Sequence, residues 1–211
     1  MRCDPLSFPP GEGPFRGRGL IFKGYFRYIE ARYPGGMLGL RGDLDDRQQA
    51  AFLGRIFLAM SFYDLGPLLH AIRLVARVEG ASLAKFICAR AEASARVDVP
   101  GVYAPLLKAG SIEAMATSLP RVFSRYFEDV QSELLRFTEG PPRVLEIRFR
   151  HLPEPILGWY IWSNQGFVGE CLALAGARPS VIEVGRVEDD GERDGIALRM
   201  VVMRARWFGK N

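Results

Sequence analysis

Histidine is the side chain best suited to acid–base or metal chemistry near neutral pH, and this sequence contains two histidines. His70 lies within a helical apolar pattern between Leu69 and Ala71, and His151 follows an alternating apolar segment. A nucleophilic triad also needs a serine or cysteine beside the base, but the chain has no Gly-x-Ser-x-Gly elbow. We therefore predict that His70 is a buried histidine that donates to a backbone carbonyl. The alternatives are an axial ligand to haem iron and a polar contact for a bound molecule.

The cysteines and glycines lack the spacings that metal and phosphate sites require. Cys3, Cys88 and Cys171 form no Cys-x-x-Cys pair, so neither a zinc site nor a disulfide framework is indicated. The chain also contains no Gly-x-x-x-x-Gly-Lys-Ser/Thr and no Gly-x-Gly-x-x-Gly. The sequence therefore predicts neither nucleotide hydrolysis nor dinucleotide redox chemistry.

Paired carboxylates occur twice. Asp45 and Asp46 stand at the start of a helical pattern, where negative charge is favoured by the helix dipole. Asp189 and Asp190 belong to an acidic stretch, Glu188–Gly195, which lacks the alternating ligand register of a calcium loop. We predict a solvated turn there, no metal site, and no enzymatic activity.

Two arginines on one helix could bind a phosphate or a carboxylate. Arg73 and Arg77 are four residues apart and so share a helix face, where two guanidinium groups can converge on one anion. A solvated face, with pairing to Glu79, is the favoured interpretation. Arg73 is retained as a candidate ligand contact beside His70.

Tryptophans mark a second candidate region. Trp159 and Trp162 fall in an apolar helix near the C-terminus. Large rings of this kind fill the seam between a helix and a sheet, or they line a pocket or a dimer face. Both interpretations remain open at the level of sequence, and both residues are candidate ligand contacts.

Composition limits the class of protein. The formal net charge is +4, and the arginines are spread through the chain among acidic residues, which argues against a nucleic-acid-binding surface. No window approaches 18 consecutive apolar residues, so no membrane span is predicted. Residues 1–19 are rich in proline and glycine and lack the apolar core of a signal peptide. We expect a flexible tail over residues 1–19, a single domain over residues 20–211, and a cytoplasmic location.

Helices are predicted from residue 43 to residue 97. Asp45 or Asp46 suits an N-cap, and an apolar stripe at three- and four-residue spacing then extends to Ile56 and Phe57. Later helices are predicted to begin near Asp64, at Ser82 and at Ser118. The helix that starts at Ser118 is expected to extend to Phe137, because its apolar residues keep a helical period.

The last third of the chain has the pattern of a β-α-β-β unit. Residues 143–150 alternate between apolar and charged side chains, as in a strand with one buried face. An apolar helix follows and stops at Gly176, and residues 181–187 and 196–207 form a hairpin. The fold class predicted is α+β, with an N-terminal helical portion followed by this unit and its small antiparallel sheet.

Four segments carry a resemblance to a known group of proteins: "SIEAMATSLPRVFSRYFEDV", "RVLEIRFRHLPEP", "GFVGECLALAGARPSVIEVGRVEDDG" and "LRMVVMRARW". Their order resembles the haem-NO/oxygen-binding and four-vinyl-reductase group, which has a TRAPP-like α+β fold. Within that group the chain is most similar to a paralogous set of myxobacterial proteins of about this length. The resemblance covers residues 20–207 and implies that fold.

The same resemblance argues against the group's cofactor chemistry. Haem-binding members hold iron through a histidine and bind the propionates with Tyr-x-Ser-x-Arg, a motif that none of the seven tyrosines here begins. His70 lies in an early helix, where the resemblance does not place the iron ligand. Four-vinyl-reductase members carry a cysteine cluster near the C-terminus, where this chain has only Cys171.

These observations predict a non-catalytic cytoplasmic sensor or adaptor. It would bind a small apolar or amphipathic ligand, or a protein partner, through His70, Arg73, Trp159 and Trp162, without a metal or other cofactor. The resemblance also implies a homodimer. The alternative is a haem-based gas sensor with His70 as axial ligand.

Overall fold

The computed structural model describes residues 8–101, 111–138, 140, 142–177 and 181–207. These residues fall into two compact units, which are described separately. The N-terminal unit comprises residues 8–86 and 126–129, and the C-terminal unit comprises residues 87–125 and 130–207 within the described ranges. The prediction of a single domain over residues 20–211 stays a prediction.

The N-terminal unit contains a two-stranded antiparallel sheet and most of the short helices. Its elements are β1 (Arg16–Arg18), α1 (Gly19–Arg32), α2 (Gly36–Gly42), α3 (Arg47–Leu53), β2 (Phe62–Asp64) and α4 (Gly66–Val78). Phe22 of α1 is fully buried and stacks on Phe57 with ring centroids 4.5 Å apart. Phe52 and Tyr63 pack around the same pair, so aromatic rings from four segments form this core.

Residues 15–18, which belong to the predicted flexible tail, form defined structure in the N-terminal unit, and the flexibility of residues 1–19 stays a prediction. Phe15 is buried, and Arg16–Arg18 pair with β2. The backbone N–H groups of Gly11 and Gly13 donate to Oδ2 of Asp64, at 2.9 and 3.2 Å. A buried carboxylate 51 or more residues away therefore holds this segment, and composition alone carries no sign of that contact. Residues 1–7, which include Cys3, lie outside the described residues.

Helix α3 confirms the predicted cap but not the predicted length. Oδ1 of Asp46 accepts hydrogen bonds from the N–H groups of Gln48 and Gln49, as an N-cap should. The helix ends at Leu53, so Ile56 does not continue the buried stripe and is 86% exposed. Phe57 is buried, but it reaches the core from an irregular segment.

The C-terminal unit combines helices with a four-stranded antiparallel sheet. Helix α5 (Leu83–Asp98) begins in the N-terminal unit and α6 (Ile112–Tyr126) ends there. The strands are β3 (Gln131–Thr138), β4 (Arg143–Pro153), β5 (Val181–Arg193) and β6 (Ile196–Trp207), and they lie in the order β3-β4-β6-β5 in the sheet. The last helix, α7 (Leu157–Leu174), lies between β4 and β5 in the chain. The predicted β-α-β-β unit is therefore confirmed as β4-α7-β5-β6, and the α+β fold class is confirmed.

Strand β3 replaces the second half of the helix predicted from Ser118 to Phe137. Leu134 and Phe137 are three residues apart, which is a helical spacing, but they lie opposite Ile147 and Leu145 on β4. A bulge between Leu134 and Arg136 adds one residue, so both side chains reach the same face of the sheet. The bulge thus gives a strand the apolar spacing of a helix.

Helix α7 is buried on nearly all sides, and a glycine lets a neighbouring helix approach closely. A Cβ added at Gly166 would clash with the carbonyl oxygen of Cys88 on α5. Gly176, with a φ of 88°, ends the helix as predicted.

The acidic turn between β5 and β6 is shorter than predicted. The two strands extend up to Asp194 and Gly195, whose positive φ values suit a two-residue hairpin loop. Among the described residues, no helix is long and apolar enough to cross a membrane.

Candidate functional site

Helix α4 presents the first pair of candidate residues on its outward stripe. Its buried side chains include Leu68, Leu69 and Ile72, and the exposed side of the helix carries His70 and Arg77. His70 is exposed and Arg73 is partly buried on this stripe, and their three-residue spacing puts them on one face of the helix. The structure thus brings these two predicted residues together.

The prediction that His70 is a buried histidine is wrong. Its side chain is exposed, and its Nδ1 lies 3.2 Å from Nε2 of Gln49 on α3. Among the described residues, Arg77 and Glu79 do not form the predicted pair, and Glu79 instead accepts a hydrogen bond from the hydroxyl of Tyr28. The apolar neighbours of His70 in sequence misled the prediction, since a helix turns adjacent residues by about 100°.

Helix α7 carries the second pair of candidates, in the C-terminal unit. Trp159 is buried and Trp162 is partly buried. Trp159 therefore lies in the interior of this unit, and the choice between the two sequence-based interpretations of the tryptophans stays open. The four predicted contacts divide between the units: His70 and Arg73 belong to one, Trp159 and Trp162 to the other. That they form one site stays a prediction.

Two polar side chains on the buried side of α7 were not predicted as site residues. Asn164 is buried, its Nδ2 donates to the carbonyl oxygen of Tyr160 at 2.8 Å, and its Oδ1 has no hydrogen-bond partner in the described part of the chain. Tyr160 is also buried and packs edge-on against Phe149 of β4. Burial raises the pKa of Tyr160 far above its ordinary value, so the phenol stays neutral. Such a pair can orient a polar group in an apolar interior.

The thiols of this unit are poor nucleophiles. Burial raises the pKa of the Cys88 thiol to about 11, and the nearby Glu92 carboxylate adds to the effect. Burial likewise raises the pKa of Cys171, which is fully enclosed. Because the thiolate is the reactive form, neither side chain suits covalent chemistry near neutral pH.

A buried carboxylate at the far end of the sheet was also missed. Asp190 on β5 accepts hydrogen bonds from Nε and Nη2 of Arg150 and, at 2.7 Å, from the backbone N–H of His151. Burial alone would raise the pKa of Asp190, but these hydrogen bonds and the Arg150 charge outweigh it and lower the pKa.

The contact with Asp190 holds His151 in an unusual backbone conformation. His151 has a φ of 61°, and it lies within a bulge of β4 between Phe149 and Leu152. Its Nε2 is 3.8 Å from Oδ2 of Asp190. The left-handed backbone of His151 has no clear signal in the sequence, although the Asp189-Asp190 pair was noted there. The cluster stabilises the end of the sheet.

The described residues offer no fitting set of ligands for a metal or a haem. No group of three or more histidine, cysteine or carboxylate side chains converges among them. A haem pocket encloses most of the ligand and directs an axial side chain into it. His70 is exposed and bonded to Gln49, and the ring of His151 faces Asp190, so neither histidine meets that requirement.

Comparison with known proteins identifies the fold. No family model matches the chain, and no curated protein matches it. Solved structures of haem-NO/oxygen-binding (H-NOX) domains do match, at TM-scores of 0.57 to 0.64 among those compared. The Fe(II) unliganded H-NOX protein from K. algicida is 12% identical, with a TM-score of 0.59 over 91% of this chain and 97% of that one.

Two further matches agree with the first. An oxygen-binding H-NOX domain related to soluble guanylate cyclases, solved as the oxygen complex, is 10% identical, with a TM-score of 0.62 over 92% of this chain and 96% of that one. An H-NOX protein from S. oneidensis in the Fe(II)NO state is 11% identical, with a TM-score of 0.57 over 89% and 98%. These findings confirm the H-NOX part of the predicted resemblance, while the TRAPP-like, four-vinyl-reductase and myxobacterial parts stay predictions. At such low identity the likeness concerns the fold alone, and the fold of this chain is that of an H-NOX domain.

Proposed function

We propose that this chain is a non-catalytic cytoplasmic sensor or adaptor domain. It binds a small apolar or amphipathic ligand, or a protein partner, and does so without haem. The observation that carries the proposal is an H-NOX fold whose two histidines do not suit iron ligation. H-NOX proteins with this fold have been solved in the unliganded Fe(II) state, as an oxygen complex and in the Fe(II)NO state.

The environment of each histidine supports a haem-free domain. His70 lies on the solvent stripe of α4 with Gln49 as its hydrogen-bond partner. His151 is constrained at the bulge of β4 by the bond from its own N–H to Asp190. Moving either ring into an apolar pocket would require breaking these contacts.

The ligand contacts proposed are His70, Arg73, Trp159 and Trp162. Trp162 is the more accessible tryptophan, and its amphipathic ring suits contact with an apolar molecule. Tyr160 and Asn164 supply a neutral polar pair on the buried side of the same helix. The raised pKa values of Cys88 and Cys171 support a binding role over a covalent one.

The first experiment is an absorption spectrum of the full chain produced with haem supply, paired with native mass spectrometry of the same sample. We expect no Soret band and no added haem mass. A Soret band with one haem per chain would overturn the haem-free proposal.

The alternative function is a haem-based gas sensor with His70 as axial ligand, which the haem-containing H-NOX structures favour. If a Soret band appears, loss of that band in His70→Ala but not in His151→Ala would support this alternative. The two variants are matched, because each removes one of the two histidines in the chain.

A homodimer is part of the proposal and is tested separately. Light scattering coupled to size-exclusion chromatography gives the mass of the haem-free protein directly. A mass of one chain, 23.6 kDa, across all concentrations would contradict it.

A further inference from the structure

The segment after α3 presents three large apolar side chains to solvent. Ile56, Leu58 and Met60 are 86%, 62% and 59% exposed, and together they form what we call the apolar ridge. They alternate with Phe57, which is buried, and with Ala59. Single exposed apolar residues are common, but three that project from one short segment mark an interaction surface.

The backbone of the ridge is held in place by α1 and its neighbours. The first N–H groups of α1 have no partner within the helix, and here Gly19 and Leu20 donate to the carbonyl oxygens of Ser61 and Ala59, at 2.8 and 3.0 Å. The hydroxyl of Tyr63 accepts from the N–H of Leu58 at 2.9 Å, and a guanidinium N–H of Arg18 donates to the carbonyl of Met60. The ridge side chains are thus presented by an ordered segment and not by a loose loop.

The shape of the ridge indicates the kind of partner. Its side chains project outward instead of lining a groove, as their high exposed fractions require. A lipid surface accepts projecting apolar side chains without a preformed cavity, because they enter the boundary between headgroups and acyl chains.

The charges beside the ridge favour an anionic surface. Arg55 immediately precedes Ile56, is exposed, and has its guanidinium 5.7 Å from the centre of the Phe52 ring. Lys23 is exposed on α1, one turn beyond Leu20. Within the described part of the chain, neither side chain has a carboxylate partner at ion-pair distance. Basic residues beside exposed apolar ones are the composition of segments that bind anionic lipid interfaces.

We propose that the apolar ridge docks the chain peripherally onto a membrane surface with anionic headgroups. Ile56, Leu58 and Met60 enter the interface, while Arg55 and Lys23 contact lipid phosphates. This docking needs no membrane-spanning helix. It is independent of the ligand proposed above, since it rests on different residues.

The test is flotation of the full chain with vesicles of phosphatidylcholine alone, or of equal parts phosphatidylcholine and phosphatidylglycerol. We expect binding to the anionic vesicles and much weaker binding to the neutral ones. Replacing all three ridge residues by serine should weaken binding to anionic vesicles by about tenfold or more, because the apolar area that enters the lipid is lost.

Two variants separate the contributions. Arg55→Glu together with Lys23→Glu should weaken binding to anionic vesicles, and added salt should weaken binding of the wild type. Val78→Ser is the matched control, since Val78 is 50% exposed but lies at the other end of α4 from the strand that follows the ridge. Its binding should equal that of the wild type. Circular dichroism melting checks that each variant folds.

Three outcomes would overturn the proposal. The first is absence of binding to anionic vesicles by the folded wild type, and the second is an equal loss in Val78→Ser. The third is a wild-type dimer that becomes monomeric in the ridge variant without any vesicle binding, which would identify a second copy of the chain as the occupant.

Discussion

On the outer face of the C-terminal sheet, Met200 and Val202 point away from α7 yet are only 7% and 6% exposed, whereas Ile56 of the apolar ridge is 86% exposed. Val202 lies between Arg148 on β4 and Arg186 on β5. The aliphatic stems of such arginines cover apolar neighbours while their charged ends stay in water. Within the described part of the chain, the ridge has no paired strand on either side and therefore no such cover.

Ion pairs hold the covering side chains of the sheet in place. Arg148 contacts Glu133 at 2.6 Å, Arg204 contacts Glu146 at 2.6 Å, and Arg186 contacts Glu188 at 2.9 Å. Exposed pairs of this kind contribute little on their own. Held in this way, the arginine stems can stay over the apolar residues beside them, whereas the side chains of the ridge are exposed.

The largest loss of stability is expected from substitution of Asp190, which accepts hydrogen bonds from Arg150 and His151 at one end of the sheet. Asp190→Ala removes the acceptor for Arg150 and for the His151 N–H, from a carboxylate whose side chain is only 5% exposed. We expect a loss of about 2–3 kcal/mol of unfolding free energy near neutral pH. Asp189→Ala is the matched control, because that neighbouring side chain is 75% exposed and should change stability little. Urea titration measures both.

The same carboxylate gives a pH dependence with a definite sign. Its pKa in the folded chain lies below the reference value of 3.8, so its contribution is complete above that value. The contribution is lost as the pH falls through the folded-state pKa. The stability difference between the wild type and Asp190→Ala should therefore shrink at pH values below 3.8. A difference that stayed constant down to strong acid would argue against the ionised contact.

Removal of covered apolar area should have the next largest effect. Val202→Ala deletes two buried methyl groups from the outer face and should cost about 2 kcal/mol. Equilibrium unfolding in urea measures this loss. A value near zero would mean that the arginine stems do not bury Val202 in solution.

Removal of the arginine side chain that covers Val202 should lower the free energy of unfolding by less than removal of the valine methyl groups. Arg148→Ala exposes Val202 and breaks the contact with Glu133, and we expect a loss of about 1 kcal/mol. Arg148→Met keeps an aliphatic stem without the charge, so it should recover most of that loss. Equal destabilisation by the two substitutions would assign the effect to the ion pair instead of the cover.

Relief of backbone strain should raise stability modestly. His151→Gly removes the cost of a Cβ at a φ of 61°, and we expect a gain of up to about 1 kcal/mol. His151→Ala removes the imidazole but keeps the Cβ, and should show no such gain. Thermal melting of the two variants separates strain from the ring's contact with Asp190.

The smallest effect is expected on the ridge. Ile56→Ala should change the unfolding free energy by less than about 0.5 kcal/mol, because the side chain is already exposed in the folded chain. Together with Val202→Ala, this gives a direct contrast between an uncovered and a covered apolar residue. A loss comparable to that of Val202→Ala would mean that Ile56 is buried in solution, for example in a dimer.

Features set by neighbours in sequence were predictable from the sequence. The cap at Asp46, the left-handed end of α7 at Gly176 and the alternation of β4 all depend on residues within one turn or one strand. The H-NOX-like fold was also anticipated from the order of four segments. The cap, the helix end and the strand rest on local periodicity or local backbone geometry, whereas the fold was anticipated from a resemblance to a known group of proteins.

Features set by distant contacts were not predictable. The pattern from Leu134 to Phe137 has a helical period, and only pairing with β4 across a bulge makes it a strand. His70 has apolar neighbours, but its exposure follows from which side of α4 packs inward. The proposed site residues His70, Arg73, Trp159 and Trp162 could be listed from residue type alone, while the burial of Trp159 and the accessibility of Trp162 could not.

The sequence by itself determined the α+β class, the order of helices and strands in the last third, the cap at Asp46 and the helix end at Gly176, because these follow from interactions a few residues apart. The tertiary structure decided which side chains are covered. Asp64 holds Gly11 and Gly13 from more than 50 residues away, and Asp190 holds Arg150 from 40 residues away. The tertiary structure also leaves Ile56, Leu58 and Met60 exposed, since α3 ends at Leu53 and no strand pairs beside them within the described chain. Burial of a side chain depends on which distant segments the fold packs against it, and the neighbouring residues in the sequence do not determine those segments.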